Sequence, residues 1–71
     1  MTFQEACRAI IRNKENKALN YAVNYAKAGL TLTDQHAIFV QSLYILSNMT
    51  HWRGEEAKAV RAALKAVKDA G

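Results

Sequence analysis

The reading of this chain turns on Thr33 to Leu64, TDQHAIFVQSLYILSNMTHWRGEEAKAVRAAL. Its first half is apolar around most of a helical circumference, through Ala37, Ile38, Phe39, Val40, Leu43, Tyr44, Ile45 and Leu46. A helix apolar nearly all round packs among others, so this segment is expected to be the central helix of a bundle. The second half is amphipathic, with Ala57, Val60 and Leu64 on one stripe that Val67 continues. Between the halves, Ser47 to Glu56 collects the single tryptophan, one of two histidines, an arginine and a glutamate pair. Nowhere else do an aromatic, a titratable group and paired charges stand so close together.

Working outward, Thr33 reads as the N-cap of the apolar helix, with Asp34 in its first turn, and the helix extends to about Asn48. The next helix is expected over 53–70, with Thr50 as its earliest start. Its Lys58, Arg61, Lys65 and Lys68 fall at steps of three, four and three and line one face. Glu55 and Glu56 suit the positive end of that helix, and the lysines suit the other. Upstream, Thr2 and Glu5 form a capping box for a helix over 3–12. Phe3, Ala6, Cys7, Ile10 and Ile11 make its buried stripe. A turn at 13–16 leads to a helix over 16–28, with Leu19, Ala22, Val23 and Ala26 on one face and Tyr21 and Tyr25 beside it. Gly29 reads as a left-handed residue past its end, followed by a short connector with Leu30 and Leu32 pointing inward. There is no proline and no sustained strand alternation. The expected fold is all-α, a single-domain bundle of four helices over residues 1–71. Orthogonal and up-and-down packings are both open.

Seventy-one residues make one domain. Such a chain buries about 60% of its unfolded surface, and its core supplies a net stability of about 3–5 kcal/mol. Self-association is a natural supplement. One cysteine, Cys7, cannot form an internal disulfide, which points to a reducing cytoplasm. The leading MTFQEACRAIIRNKEN lacks the pattern of a signal peptide, and Ala37 to Leu46 is too short to span a membrane. A cytoplasmic protein without membrane contact is therefore expected. The net charge of +4 and pI near 9.5 permit contact with phosphate or an acidic partner.

No catalytic set is coherent. Cys7 lies on an apolar stripe, away from any group that would activate a thiolate. His51 and Glu55 stand four apart, but a metal site needs three or four ligands and only His36 adds an imidazole. Gly54 is not part of a phosphate-binding glycine loop. Glu55 and Glu56 are adjacent and point apart, unlike the opposed acids of a glycosidase. The chain is expected to be no enzyme and to carry no cofactor. A helix-turn-helix around Gly29 and Thr33 has the right outline, yet its second helix offers no Lys or Arg to a DNA groove.

Two binding readings follow. Arg8, Arg12, Lys14 and Lys17, with Lys58, Arg61, Lys65 and Lys68, form a phosphate-binding flank if they converge; solvated helix faces look the same in sequence. Tyr44, His51, Trp52 and Arg53 form a candidate protein-binding hot spot, because Trp, Tyr and Arg dominate such sites. The plainer reading of Trp52 is a lid closing one end of the bundle, and of Tyr21, Tyr25 and Tyr44 core-edge residues with wet hydroxyls.

From Asn20 to Leu64 the chain resembles short uncharacterised helical proteins encoded by bacteriophages and prophages. In those, a hydrophobic residue, Leu, Asn or Ser, Asn, three further residues and Trp-Arg-Gly-Glu/Asp precede a basic terminal helix. Here the phrase runs Ile45-Leu46-Ser47-Asn48-Met49-Thr50-His51-Trp52-Arg53-Gly54-Glu55. The resemblance implies a bacterial or phage cytoplasm and a small accessory or host-modulating role, and it transfers no catalytic residue. The leading expectation is a non-enzymatic interaction module that docks a helix face or the Trp52 region on a protein partner or a second copy. The alternative is a nucleic-acid-associated regulator using the basic helix face.

Overall fold

The computed structural model describes residues 1–69, which hold four α-helices and no strand. Helix α1 spans Phe3–Arg12, α2 Asn20–Gly29, α3 Gln35–Ser47 and α4 Glu55–Lys65, with a 3-10 turn at Lys17–Leu19 before α2. The expected capping box starts α1. Thr2 N–H donates to Glu5 Oε1 at 2.7 Å and Glu5 N–H donates to Thr2 Oγ1 at 3.1 Å.

Helices α1 and α2, α2 and α3, α3 and α4, and α4 and α1 pack as neighbours. Contacts between their ends give the directions. Gly29 at the end of α2 lies against Phe3 and Cys7 near the start of α1. The Gln41 side-chain amide of α3 donates to the Tyr25 carbonyl of α2 at 2.8 Å. Arg12 at the end of α1 pairs with Glu56 at the start of α4 at 2.8 Å. Gln35 at the start of α3 donates to the Lys68 carbonyl beyond α4 at 2.7 Å. Successive helices therefore alternate in direction, and α4 closes the ring on α1.

Four boundaries differ from the sequence reading, each for a local reason. The second helix begins as a 3-10 turn because Asn16 accepts from the Ala18 N–H at 2.9 Å and tightens the start. The N-cap of α3 is Asp34 and not Thr33. Its carboxylate reaches the Ala37 N–H at 2.9 Å, the third helical amide, which is the bond that defines a cap. Gly29 is not left-handed; it belongs to α2, and its missing Cβ admits α1. A Cβ there would meet Phe3 Cζ at 2.9 Å and Cys7 Sγ at 3.1 Å. The fourth helix spans 55–65 instead of 53–70. It starts after Gly54, whose φ of 115° turns the chain into it. Residues 66–69 leave the helix and run to the start of α3, where Gln35 and His36 hold them. Ala70 lies outside the described residues.

The core also departs from expectation. The helix with the widest buried face is α1, through Phe3, Ala6, Cys7, Ala9 and Ile10. In α3 only Ile38, Ser42 and Ile45 are buried. In a ring of four short helices each has two flanking neighbours, so no circumference is fully enclosed. The α3 residues opposite Ile38 and Ile45 are left facing outward. Buried Ser42 is satisfied within α3, donating to the Ile38 carbonyl at 2.8 Å. Leu30 is exposed, whereas Leu32 packs on the core, so the connector turns one leucine inward and one out.

Candidate docking face

At 100° per residue, Val40, Leu43, Tyr44 and Ser47 fall within one arc of α3, opposite the buried Ile38, Ser42 and Ile45. Leu43 is 49% exposed and Tyr44 52%. Beside them on α2 stand Tyr21, 73% exposed, and Tyr25, four residues apart and so on one face. The Tyr25 and Tyr44 rings stack with centroids 5.6 Å apart and planes 15° apart, in the range of an offset aromatic pair. The Gln41 bond to the Tyr25 carbonyl lies in the same seam. Ser47 and Asn48 turn their polar atoms back onto the Leu43 and Tyr44 carbonyls at 2.9 and 2.8 Å. The side is thus an aromatic and aliphatic surface whose nearby side-chain polar groups are spent on backbone.

From Val40 to Ser47 the arc carries no ionisable side chain, and one turn before Val40 the exposed His36 stands on the same side, paired with Asp69 at 2.8 Å. No Asp, Glu, Lys or Arg occurs in α3, and α2 has only Lys27. Lys27 follows Tyr25 by two residues and so points to the other side of α2.

The residues of the proposed hot spot do not share one surface. Trp52 is 5% exposed and belongs to the core with fully buried Met49. It is the lid at the end of the bundle formed by the α3–α4 connection. Arg61 fixes it: the guanidinium donates to the Met49 carbonyl at 3.1 Å and to the Trp52 carbonyl. His51 and Arg53 are exposed on either side of Trp52. Tyr44 pairs with Tyr25. Leu43 and Val40 were read as core, since an apolar residue in an apolar helix gives no sign of direction. The signal that could have found them is the number of helices: three short ones cannot enclose a fourth on every side.

Two of the basic residues are engaged within the bundle. Arg61 turns inward between Lys58 and Lys65, and Lys68 lies past the end of α4. Arg12 is bonded to Glu56, while Arg8, Lys14, Lys17, Lys58 and Lys65 are exposed. The Glu56 carboxyl is held below its usual range, first by the Asn13 side-chain amide at 2.7 Å and then by Arg12. In the helix-turn-helix outline, Gln35 and His36 would lead the reading helix. Here they engage Lys68 and Asp69.

Cys7 is fully buried, and burial pushes its thiol up to about 11. It is protonated at neutral pH and is not a nucleophile. Among the described residues no three of His, Cys, Asp and Glu are grouped to hold a metal ion, and no helix is long and apolar enough to cross a membrane. Comparison of the chain with protein-family models, curated proteins and solved structures finds no match in any of the three.

Proposed function

We propose that this chain is a non-enzymatic docking module that binds a protein surface through the α2–α3 side, with Leu43 and Tyr44 at its centre. The observation that carries the reading is the exposed pair Leu43 and Tyr44 on the outer arc of α3, flanked by the Tyr25 ring. Exposed contiguous apolar surface rimmed by polar groups marks an interaction site. Tyrosine suits such a site because it supplies large contact area with few rotors to immobilise. Burial of the Trp52 side chain removes that residue as an anchor and leaves docking to a helix face.

The setting, a phage or prophage accessory protein, rests on the resemblance of residues 45–55. A photo-reactive side chain at position 43, expressed in a bacterial host, tests the docking reading. Cross-linking to a discrete protein species is expected there and not at position 59 on the exposed side of α4. Equal capture at both positions, or none at 43, would overturn it.

A further inference from the structure

We propose that residues 66–69 form a strap that closes on the start of α3 while His36 is protonated and detaches when His36 loses its proton. The segment is held at three points. Val67 packs against the edge of the core. The Gln35 side-chain amide donates to the Lys68 carbonyl at 2.7 Å. The His36 Nδ1 meets the Asp69 carboxylate at 2.8 Å. Two consecutive residues in the first turn of α3 thus clasp two consecutive residues of the strap.

The segment has a second course open to it. Val67 and Lys68 continue the apolar and basic stripes of α4, so a helix carried past Lys65 would keep Val67 on the side of Val60 and Leu64. The apolar anchor is common to both courses, whereas the Gln35 and His36 bonds belong to the strap alone. Of these two, the Gln35 bond is indifferent to pH. The His36 bond is an ion pair only with the proton bound. Proton loss ends that attraction and leaves one N–H for two ring nitrogens, so the neutral ring offers Asp69 a donor in only one of its tautomers.

The charged groups around His36 favour the closed form. The hydrogen bond that Asp69 accepts, then its charge, then Asp34 before α3, hold the imidazole above its ordinary 6.5. The cations on the neighbouring elements are Lys27 on α2, Lys65 at the end of α4 and Lys68 in the strap, and they do not offset the two carboxylates. With the folded value raised, the strap is closed below pH 6.5 and opens as pH rises through the folded value. His36 stands on the outer side of α3, one turn before Val40, so the strap ends beside the docking side. Closed, it sets an ion pair there; open, it leaves a neutral imidazole.

Nuclear magnetic resonance of the chain alone tests this, with circular dichroism checking that each variant is folded. The His36 ring gives the midpoint, and His51→Ala removes the other histidine from the spectrum. Across that midpoint the through-space contacts between the Gln35 side-chain amide and Lys68 are expected to be lost, with the backbone signals of 66–69 moving at the same pH. Gln35 does not titrate, so a ring charge acting only on its neighbours would leave those contacts in place. His36→Ala is expected to lose them at every pH. Asp69→Asn is expected to lose them too, and to bring the His36 midpoint back toward about 6.5. Contacts that persist on the alkaline side, or in His36→Ala, would overturn the strap. The docking reading is tested by cross-linking and stands apart from either outcome.

Discussion

The guanidinium of Arg61 donates to the carbonyl oxygen of Trp52 and, at 3.1 Å, to that of Met49. The residue in the middle of the basic stripe is therefore the clasp of the α3–α4 connection. Its charge serves two carbonyls at the buried lid. Arg61→Ala leaves those acceptors in a partly buried place, at a cost of about 1–3 kcal/mol. Urea denaturation should show a lower midpoint with an unchanged slope. An unchanged midpoint would mean that water replaces the guanidinium without loss. Both bonds leave one guanidinium nitrogen, Nη2, so the three donors of a lysine ammonium can serve the same two carbonyls, and Arg61→Lys should recover more of the stability than Arg61→Ala.

Trp52 closes the core, so its truncation acts through packing. A Trp→Ala change in a core costs about 3–5 kcal/mol, the same size as the whole stability expected of a domain this short. Trp52→Ala should be largely unfolded at 25 °C by far-ultraviolet dichroism, and Trp52→Phe should remain helical. A well-folded Trp52→Ala chain would contradict the lid.

Gly29 and Gly54 separate two uses of glycine. At Gly29 the backbone is helical and the obstacle is space, since an added Cβ would meet Phe3 Cζ at 2.9 Å. Gly29→Ala must displace the Phe3 ring, and overpacking of this kind costs about 1–3 kcal/mol. At Gly54 there is open space and the obstacle is the φ of 115°. Gly54→Ala strains the backbone by about 1–3 kcal/mol. The two are told apart by a third substitution: Phe3→Leu should relieve Gly29→Ala and do nothing for Gly54→Ala in a double-mutant cycle of melting temperatures.

His36 and Asp69 tie the chain after α4 to the start of α3 at 2.8 Å. The hydrogen bond that Asp69 accepts, then its charge, then Asp34, holds the imidazole above its ordinary 6.5. A raised folded value means that the folded chain binds this proton more tightly. The support is complete below pH 6.5 and is lost as pH rises through the folded value. Glu56 has the opposite sign. Its carboxyl is lowered, so the α1–α4 tie is in place above its ordinary 4.5 and is lost as pH falls through the folded value. Amide signals of residues 66–69 should shift on the alkaline side of pH 6.5, and the shift should vanish in His36→Ala. A persistent shift would assign the titration elsewhere.

The sequence by itself determined the all-α class, the number of helices, the bounds of α1 with its capping box, and the inward stripes of α1 and α4. All of these depend on residues within a turn or two of one another, through helical spacing and cap chemistry. The tertiary structure decided which face of each helix is buried, where α4 stops and which way Arg61 points. The basic stripe continues past Lys65 to Lys68, yet residues 66–69 leave the helix and lie against Gln35 and His36, which bond Lys68 and Asp69 from 33 positions away. Leu43 and Ile45 look alike in sequence, and only the ring of neighbours buries Ile45 and exposes Leu43. Burial belongs to the packing of several segments at once, and no local pattern encodes it.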